Sequence, residues 1–325
     1  MTPTNTRENA GTARTVVVRE HAGRRIIHDP LTGLTHACRR YSALGRVQLD
    51  DTELQCLPVV HPGDFQATAP ISVCWSPLVR CNLACPYCLD DKSVRELPQD
   101  ERLHIARVLA ESEVLGVDIS GGEPLLLRDL PDLLDVLVAN GCAVSVTTNG
   151  THLARRAQTL AGRVDAIRVS LDGPDSNLHD RWRGRGSFDR AVAGIRASVA
   201  YGVPTQIQTV IMRSTTRTSL QETIRLAAAL GARGVTFLQM LPIGEGKSLA
   251  EAEQLEDYEA RDLVRHLDTA GMTVRLRTRE AAGGFTVVRA DGQVWRNQPG
   301  STEISSIRPL RTVQDLNLSE RDGSA

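Results

Sequence analysis

Residues 114–150 read VLGVDISGGEPLLLRDLPDLLDVLVANGCAVSVTTNG, and this stretch determines the predicted fold. It opens with one short apolar run, VLGVDIS, and closes near another, AVSVTTN, and both have the length and composition of buried strands. Between them, LRDLPDLLDVLVAN has apolar residues three and four apart, which is typical of an amphipathic helix that ends at Gly141. A strand, a helix and a second strand predict two neighbouring parallel strands.

The same alternation extends in both directions, from about residue 71 to about residue 278. The predicted strands are ISVCWSPL, VLGVDIS, AVSVTTN, AIRVSLD, TQIQTVIM and GVTFLQML, and the predicted helices between them are ERLHIARVLAES, LRDLPDLLDVLVAN, THLARRAQTLA, FDRAVAGIRASVA and SLQETIRLAAAL. Repeated strand–helix units predict an α/β fold with right-handed crossovers. The pattern alone fits either an open barrel or a doubly wound sheet.

The segments that flank this α/β unit differ from it in character. Residues 1–12 are polar and aperiodic, which predicts a disordered arm. Residues 13–67 contain short β-prone runs separated by turn sequences, and they predict a small β-rich module with room for one helix. The α/β unit itself is assigned to residues 68–245. The segment 246–325 predicts a helix over 250–270, a strand at TVRLRT, a hairpin that turns at Asp291-Gly292, and an irregular tail.

Composition and charge limit the class of protein. The chain has 325 residues with 38 Lys and Arg against 39 Asp and Glu, and hydrophobic residues make up 41% of it, which is typical of a globular protein. The near-neutral charge gives no support to a nucleic-acid partner or an anionic membrane surface. No stretch approaches about 18 consecutive apolar residues, and the first residues lack the apolar core of a signal peptide. We therefore expect a cytoplasmic protein with no nucleic-acid or membrane partner.

Three of the seven cysteines lie in the octapeptide CNLACPYC, directly after the first predicted strand of the α/β unit. Cys81, Cys85 and Cys88 on one tight loop form a soft ligand set that suits an iron–sulfur cluster or zinc. A zinc site usually has four protein ligands, but the next candidate, His104, is sixteen residues further on in a predicted helix. Three cysteines would leave one iron of a 4Fe–4S cluster open to a small molecule.

These cysteines belong to a set of motifs that follow successive strands. GGEPLL (121–126) follows the second strand, TTNG (147–150) the third and SLDGPD (170–175) the fourth, and HDRWRGRGSFDRAVAGI (179–195) leads into the next helix. Together with the cysteine loop, this set resembles the radical S-adenosylmethionine (SAM) enzymes over about residues 70–245. The resemblance implies that the α/β unit is a partial (β/α)6 TIM-like barrel with its site at the carboxyl ends of the strands.

The resemblance also implies roles for individual residues. Cys81, Cys85 and Cys88 would bind one 4Fe–4S cluster, and SAM would chelate the open iron through its amino and carboxylate groups. The residues expected around SAM are Tyr87 beside the adenine, Gly121 and Gly122 where the backbone approaches, Glu123 and Pro124 in the turn that receives the ammonium, Asn149, Ser170 and Asp172 as polar contacts, and Arg183 or Arg185 opposite the carboxylate. By position alone, Gln208 and Leu238 to Pro242 would line the adenine and substrate pocket.

The resemblance further implies the chemistry. In these enzymes the reduced cluster passes one electron to SAM, and the resulting 5′-deoxyadenosyl radical takes a hydrogen atom from the substrate, so the protein mainly orients reactants and excludes water. The C-terminal segment resembles the SPASM or twitch extensions of peptide maturases but has no cysteine after Cys142, which predicts a single cluster. Cys74 and Cys142 are interpreted as buried small residues. An electron donor such as flavodoxin or ferredoxin is expected.

The substrate stays open between several hypotheses. A peptide could be modified after adding as a strand to the edge of the 13–67 module, or that module could simply cap the barrel. A sugar or nucleoside intermediate is the rival substrate class. A molybdopterin-type cyclase would need a second, C-terminal cysteine triad, and a tRNA-modifying enzyme would favour a basic face. A zinc or iron–sulfur scaffold without turnover is the alternative of another class, and the GGEPLL, TTNG and SLDG motifs argue against it.

Overall fold

The computed structural model describes residues 13–21, 23–38, 43–60, 69–90, 92–281, 285–298 and 303–318. These residues form an amino-terminal five-stranded antiparallel sheet and a ten-stranded mixed sheet, together with their helices. The predicted arm at 1–12 and the end of the predicted module at 61–67 lie outside the described residues.

A search of the described ranges finds no helix long and apolar enough to cross a membrane.

The amino-terminal sheet has two apolar faces because its strands alternate side chains between them. Val16 and Val18 pack into a small core of their own, whereas Val17 and Ile26 pack against Leu115 of the α/β unit. The helix is capped by Asp50, whose carboxylate accepts a hydrogen bond from the Glu53 amide at 2.8 Å. The elements are β1 (Arg14–His21), β2 (Arg24–Asp29), β3 (Leu34–Ala37), β4 (Gly45–Leu49), α1 (Asp51–Gln55) and β5 (Val59–Val60), in the strand order β4-β1-β2-β3-β5.

The central unit is a parallel sheet with a helix between successive strands, which confirms the predicted α/β barrel-like class. Its main core lies between sheet and helices, where Val144 and Val146 meet Leu133 and Leu137. Its elements are β6 (Ser72–Trp75), α2 (Gln99–Glu111), β7 (Gly116–Ile119), α3 (Leu130–Ala139), β8 (Ala143–Thr148), α4 (Leu153–Leu160), β9 (Ala166–Ser170), α5 (Ser176–Arg183), α6 (Ser187–Ala200), β10 (Thr205–Ile211), α7 (Arg217–Ala229) and β11 (Gly234–Gln239).

The C-terminal segment contains the largest error of the sequence prediction. The single helix expected over 250–270 is wrong, because the chain becomes extended at Gln254. The Leu255 carbonyl there accepts a 2.7 Å hydrogen bond from the buried Gln239 side chain. A new helix then begins at Asp257, after the N-cap residue Glu256, whose amide donates to the Glu259 carboxylate at 2.7 Å. The elements are a 3-10 helix (Gly244–Leu249), α8 (Ala250–Glu253), α9 (Asp257–Val264), β12 (Thr273–Arg277), β13 (Thr286–Val288), β14 (Gln293–Arg296), β15 (Ser306–Pro309) and a second 3-10 helix (Val313–Leu316).

The predicted hairpin is present, but its place in the sheet was not foreseen. Strands β13 and β14 are antiparallel, and Gly292 turns between them with a φ of +75°. Strand β13 then pairs in parallel with β6, while β12 pairs in parallel with β11. The C-terminal strands therefore extend both ends of the central sheet, in the order β12-β11-β10-β9-β8-β7-β6-β13-β14-β15.

The amino-terminal module covers the amino ends of the barrel strands. Arg168 of β9 donates to the carbonyls of Pro30, at 2.6 Å, and Leu31, at 3.1 Å, in the loop between β2 and β3. The Arg275 guanidinium on β12 donates to the Thr32 carbonyl of the same loop. The cysteine loop follows the carboxyl end of β6, so the module and the cysteines lie at opposite ends of the barrel.

Candidate active site

The loop after β6 carries Cys81, Cys85 and Cys88, and all three half-buried side chains line one cleft. The turn between the last two is closed by a 3.1 Å hydrogen bond from the Cys88 amide to the Cys85 carbonyl. Burial raises the pKa of the Cys85 thiol and of the Cys88 thiol. A metal that bound here would therefore displace protons from these sulfurs.

The donor set fits an iron–sulfur cluster. Within the described ranges, no three His, Cys, Asp or Glu side chains are grouped closely enough to hold a single metal ion. Cys81, Cys85 and Cys88 supply soft sulfur ligands from one short loop, which suits a cluster of several irons. Gly121 and Ser170 line the same cleft as the three cysteines.

The glycine pair holds the cysteine loop against the next strand. Gly121 has a φ of +102°, and a Cβ there would lie 2.5 Å from the Leu78 carbonyl oxygen. A Cβ on Gly122 would lie 2.1 Å from the Arg80 carbonyl oxygen. The Gly122 amide donates to the Leu78 carbonyl at 2.9 Å. Both glycines are thus required because the segment that leads into Cys81 comes so close to them. This packing is separate from the contact with SAM that the sequence predicts for them.

Glu123 joins the second strand-end loop to the third. Its side chain is fully buried and accepts hydrogen bonds from the Leu125 amide at 3.0 Å, the Thr148 hydroxyl at 2.7 Å and the Asn149 amide at 2.8 Å. Burial raises the pKa of Glu123, although these donors oppose the rise. Pro124 begins the short 3-10 helix that follows. This carboxylate is a positioning group, because its hydrogen bonds run to the protein.

Asn149 connects the third loop directly to the cysteines. Its side-chain amide donates to Asn82 at 3.0 Å and lies 3.7 Å from the Cys81 sulfur. Its side-chain oxygen accepts a 2.6 Å hydrogen bond from the Thr151 hydroxyl. Asn149 therefore orients the cysteine loop from a neighbouring strand end.

Asp172 is the centre of a buried network that reaches the cysteine loop. Its carboxylate accepts hydrogen bonds from Arg183 Nε at 2.5 Å, from the Val210 amide at 2.9 Å and from the Tyr87 hydroxyl. Its own amide donates to His179 Nδ1 at 3.0 Å. Burial alone would raise the pKa of Asp172, but the Arg183 guanidinium and the two side-chain donors hold it below its usual value. Three protein donors already occupy the carboxylate that was expected to contact SAM.

The two candidate arginines have different surroundings. Arg183 is buried, lines the cleft and lies 5.5 Å from the centre of the Tyr87 ring. Arg185 is exposed and does not line the cleft. The Arg183 side chain has one hydrogen bond to the described residues, which its Nε donates to Asp172. Its two outer nitrogens are therefore available to the cleft.

Several residues of the cleft were not predicted. Cys74 of β6 lines it, and burial raises the pKa of this thiol to about 12. Phe285 and Trp295 contribute an apolar wall from the C-terminal hairpin, with their rings 5.4 Å apart. The alternation of Val73 and Cys74 in β6 could have placed Cys74 inside the barrel. No local signal could have placed the hairpin residues there, because they reach the cleft through the long-range pairing of β13 with β6.

The structure brings together some of the residues that were predicted to line the adenine and substrate pocket. Gln208 and Leu238 line a second cavity inside the barrel, which shares Ser170 and Arg183 with the cleft. Met240, two residues beyond Leu238, packs against Tyr87.

The central unit is similar to known proteins. The family model described as "Radical SAM superfamily" matches residues 75–227. The mycofactocin maturase MftC of Mycolicibacterium smegmatis is 33% identical over 202 residues, which cover 60% of this chain and 51% of that protein. GTP 3′,8-cyclase 1 of Mycobacterium tuberculosis is 32% identical over 206 residues, 57% of each chain. The chain thus spans about half the length of these curated relatives.

Solved structures share the fold. The structure of Streptococcus suis SuiB bound to the precursor peptide SuiA covers 86% of this chain and 81% of its own, with a TM-score of 0.64 at 13% identity. The same protein bound to SAM gives a TM-score of 0.61. The chain shares the fold of these structures, and its residues 75–227 match the radical SAM family model. Enzymes of this superfamily use a 4Fe–4S cluster together with SAM.

Proposed function

We propose that this protein is a radical SAM enzyme in which Cys81, Cys85 and Cys88 bind a single 4Fe–4S cluster, and that it removes a hydrogen atom from a peptide or a small natural-product substrate. One observation carries the proposal: the three cysteines share a cleft with Gly121 and Arg183 at the carboxyl ends of the barrel strands. This is the end at which ligands bind in parallel α/β folds.

The SAM-binding residues follow from what each side chain already does. Arg183 is the group that faces the methionyl carboxylate, because its outer nitrogens are open to the cleft and guanidinium matches carboxylate geometry. Ser170 supports a polar contact from the neighbouring strand end. Asp172, Glu123 and Asn149 act as positioning residues, since the hydrogen bonds of their side chains hold Arg183 and the cysteine loop in place.

Held by the three cysteines and the residues around Arg183, a 4Fe–4S cluster and SAM would supply a carbon-centred radical. The residues of this chain contribute orientation and exclusion of water. Tyr87 is buried by Met212 and Met240 on one side of the cleft, and Val287 packs with Trp295 on the other. These apolar walls keep water away from the reacting atoms.

A peptide is the favoured substrate. The relative MftC is named a maturase, and SuiB binds the precursor peptide SuiA. The amino-terminal module lies at the barrel end opposite the cysteines, held there by Arg168 and Arg275. A peptide that added a strand to this module would therefore lie away from the cleft. We infer that the module caps the barrel and that the substrate enters from the carboxyl-terminal face, beside the C-terminal hairpin.

A small-molecule substrate is the second candidate. It is favoured by the polar cavity inside the barrel, below the cleft, which Gln208 and Asp118 line. The similarity to GTP 3′,8-cyclase 1 also supports it. An electron-carrier protein such as flavodoxin or ferredoxin is the expected donor in both cases.

The proposal is tested by SAM cleavage after anaerobic reconstitution with iron and sulfide. Dithionite-reduced protein should form 5′-deoxyadenosine from SAM, measured by mass spectrometry, and Cys85→Ala should abolish both cluster and product. Cys56→Ala is the matched control, because Cys56 is exposed on the amino-terminal module, far from the cleft. Retained 5′-deoxyadenosine formation in Cys85→Ala would contradict the assignment of the cysteine loop.

A further inference from the structure

The interior of the barrel forms a cavity below the cleft, here called the inner cavity. Its walls include Cys74, Asp118, Arg168, Gln208, Arg277 and Phe285. It is continuous with the cleft, because both are lined by Cys74, Ser170 and Arg183. A substrate group that extends from the cleft into the barrel would therefore enter the inner cavity.

Most charges around this cavity are neutralised within the protein. Asp118 forms an ion pair with Arg168 at 3.1 Å, and its carboxylate also accepts hydrogen bonds from Ser145 and Thr147. At the upper rim, Arg183 is paired with Asp172 as described above. At the lower end, the Arg275 guanidinium donates to the Thr32 carbonyl of the capping loop.

Arg277 is the exception. Strand β12 alternates, with Val274 and Leu276 packed against the main core, so Arg275 and Arg277 face the barrel interior. Within the part of the chain that the structure describes, the Arg277 guanidinium has no ion pair and no hydrogen bond, although Asp118 attracts it from a distance. Its guanidinium carbon lies 5.6 Å from the centre of the Phe285 ring. Burial lowers the pKa of Arg277, yet a guanidinium stays charged at neutral pH.

We propose that Arg277 binds an anionic oxygen group of the substrate, a carboxylate or a phosphate, inside the barrel. The inference rests on the proposed function and deepens it by assigning the chemical class of the substrate. A half-buried cation without an ion-pair or hydrogen-bond partner is unfavourable, and a planar guanidinium offers two parallel donors to an oxyanion. The guanidinium lies over the Phe285 ring, which itself forms an edge-to-face pair with the Trp295 ring.

Equilibrium binding tests this assignment without requiring turnover. The anaerobically reconstituted protein would be titrated calorimetrically, at constant ionic strength, with N-acetylglutamate and with glucose 6-phosphate. Their neutral partners, N-acetylglutamine and glucose, are the controls for shape. The variants are Arg277→Gln, Arg277→Lys and the matched control Arg279→Gln, since Arg279 lies two residues further on and pairs with Glu256 at 3.3 Å, away from the cavity.

We expect the unsubstituted protein to bind at least one of the two anions about tenfold or more tighter than its neutral partner. Arg277→Gln should lose this preference, Arg277→Lys should retain part of it, and Arg279→Gln should bind like the unsubstituted protein. Preference for the carboxylate indicates an acidic amino-acid or peptide group, and preference for the phosphate indicates a phosphorylated sugar or nucleotide.

The inference is overturned if neither anion is preferred to its neutral partner, or if Arg277→Gln binds the anion as tightly as the unsubstituted protein. If Arg277→Gln does not fold, the test rests on Arg277→Lys and the unsubstituted protein. The inference is then overturned if these two proteins bind the anion equally and neither prefers it to its neutral partner. Failure to form 5′-deoxyadenosine alongside intact anion binding would instead count against the proposed function, so the two failures are distinguishable.

Discussion

The substitution Asp172→Asn tests the buried network that supports Arg183. The Asp172 side chain is 1% exposed, and its carboxylate accepts from Arg183 Nε at 2.5 Å, from the Val210 amide and from the Tyr87 hydroxyl. Asparagine keeps the shape of the side chain but removes the charge. It also replaces one accepting oxygen of the carboxylate with an NH2 group, which would face the hydrogen-bond donors that now surround Asp172. Arg183 would then be a buried cation without its counter-charge.

The expected destabilisation is large. Removing one partner of a buried ion pair typically costs about 3–5 kcal/mol. At about 2.1 cal/mol/K of unfolding entropy per residue, this cost lowers the Tm of a chain of 325 residues by roughly 4–7 °C. The pH dependence has a defined sign. The pKa of Asp172 is held below its ordinary value of 3.8, so the stabilisation by its carboxylate is present above pH 3.8 and is lost as the pH falls through the folded-state pKa.

Thermal unfolding followed by circular dichroism measures this effect. The control is Asp135→Asn, which removes an exposed ion pair with Arg163 at 3.0 Å and should change the stability by less than about 1 kcal/mol. The reasoning is refuted if Asp172→Asn unfolds within about 1 °C of the control. Because Arg183 would lose its anchor, Asp172→Asn should also weaken SAM binding, whereas Asp135→Asn should not.

Two further predictions concern the glycine loop and the module. Gly122→Ala would place a Cβ 2.1 Å from the Arg80 carbonyl oxygen and displace the chain before Cys81, so the iron bound per chain should fall to less than half. The control Gly271→Ala, at a φ of +74° with nothing within 4 Å of the added Cβ, should lose stability but keep its iron. Equal iron content in both variants would count against this account. Burial lowers the pKa of His28 from 6.5 to about 4, so the free energy of unfolding should decline by up to about 3 kcal/mol for this group as the pH falls from 6.5 to 4. His28→Gln should flatten that decline in chemical denaturation, the exposed His266→Gln should not, and an unaltered profile in His28→Gln would exclude the burial argument.

Much of the fold was predictable because it depends on local patterns. Apolar runs of strand length alternated with helical spacing, and the motifs after each strand converge since parallel strands present their carboxyl ends at one edge of the sheet. The break at Gln254 was not predictable, because it depends on a hydrogen bond to the Leu255 carbonyl from Gln239, which lies sixteen residues before Leu255. The pairing of β13 with β6 joins segments that are far apart in the sequence, so no local pattern indicates it.

The candidate site divides in the same way. The cysteines and glycines could be found because their residue types and spacing carry the chemistry. The roles of Asp172 and Asn149 could not be found from sequence alone, because a polar residue at a strand end can face either a ligand or a neighbouring loop. The structure gives both side chains protein partners, namely Arg183 for Asp172 and the Asn82 side chain for Asn149. Arg277 was missed because its strand, β12, follows the residues that were assigned to the barrel, 68–245, and precedes the hairpin.

The central claim is that Cys81, Cys85 and Cys88 hold one cluster with an iron open to SAM. Its most direct test is the iron content and electron paramagnetic resonance spectrum of the reconstituted, dithionite-reduced protein, recorded with and without SAM. The account predicts about four irons per chain and g values that shift when SAM is added. Zinc in place of iron, or a cluster spectrum that saturating SAM leaves unchanged, would contradict it.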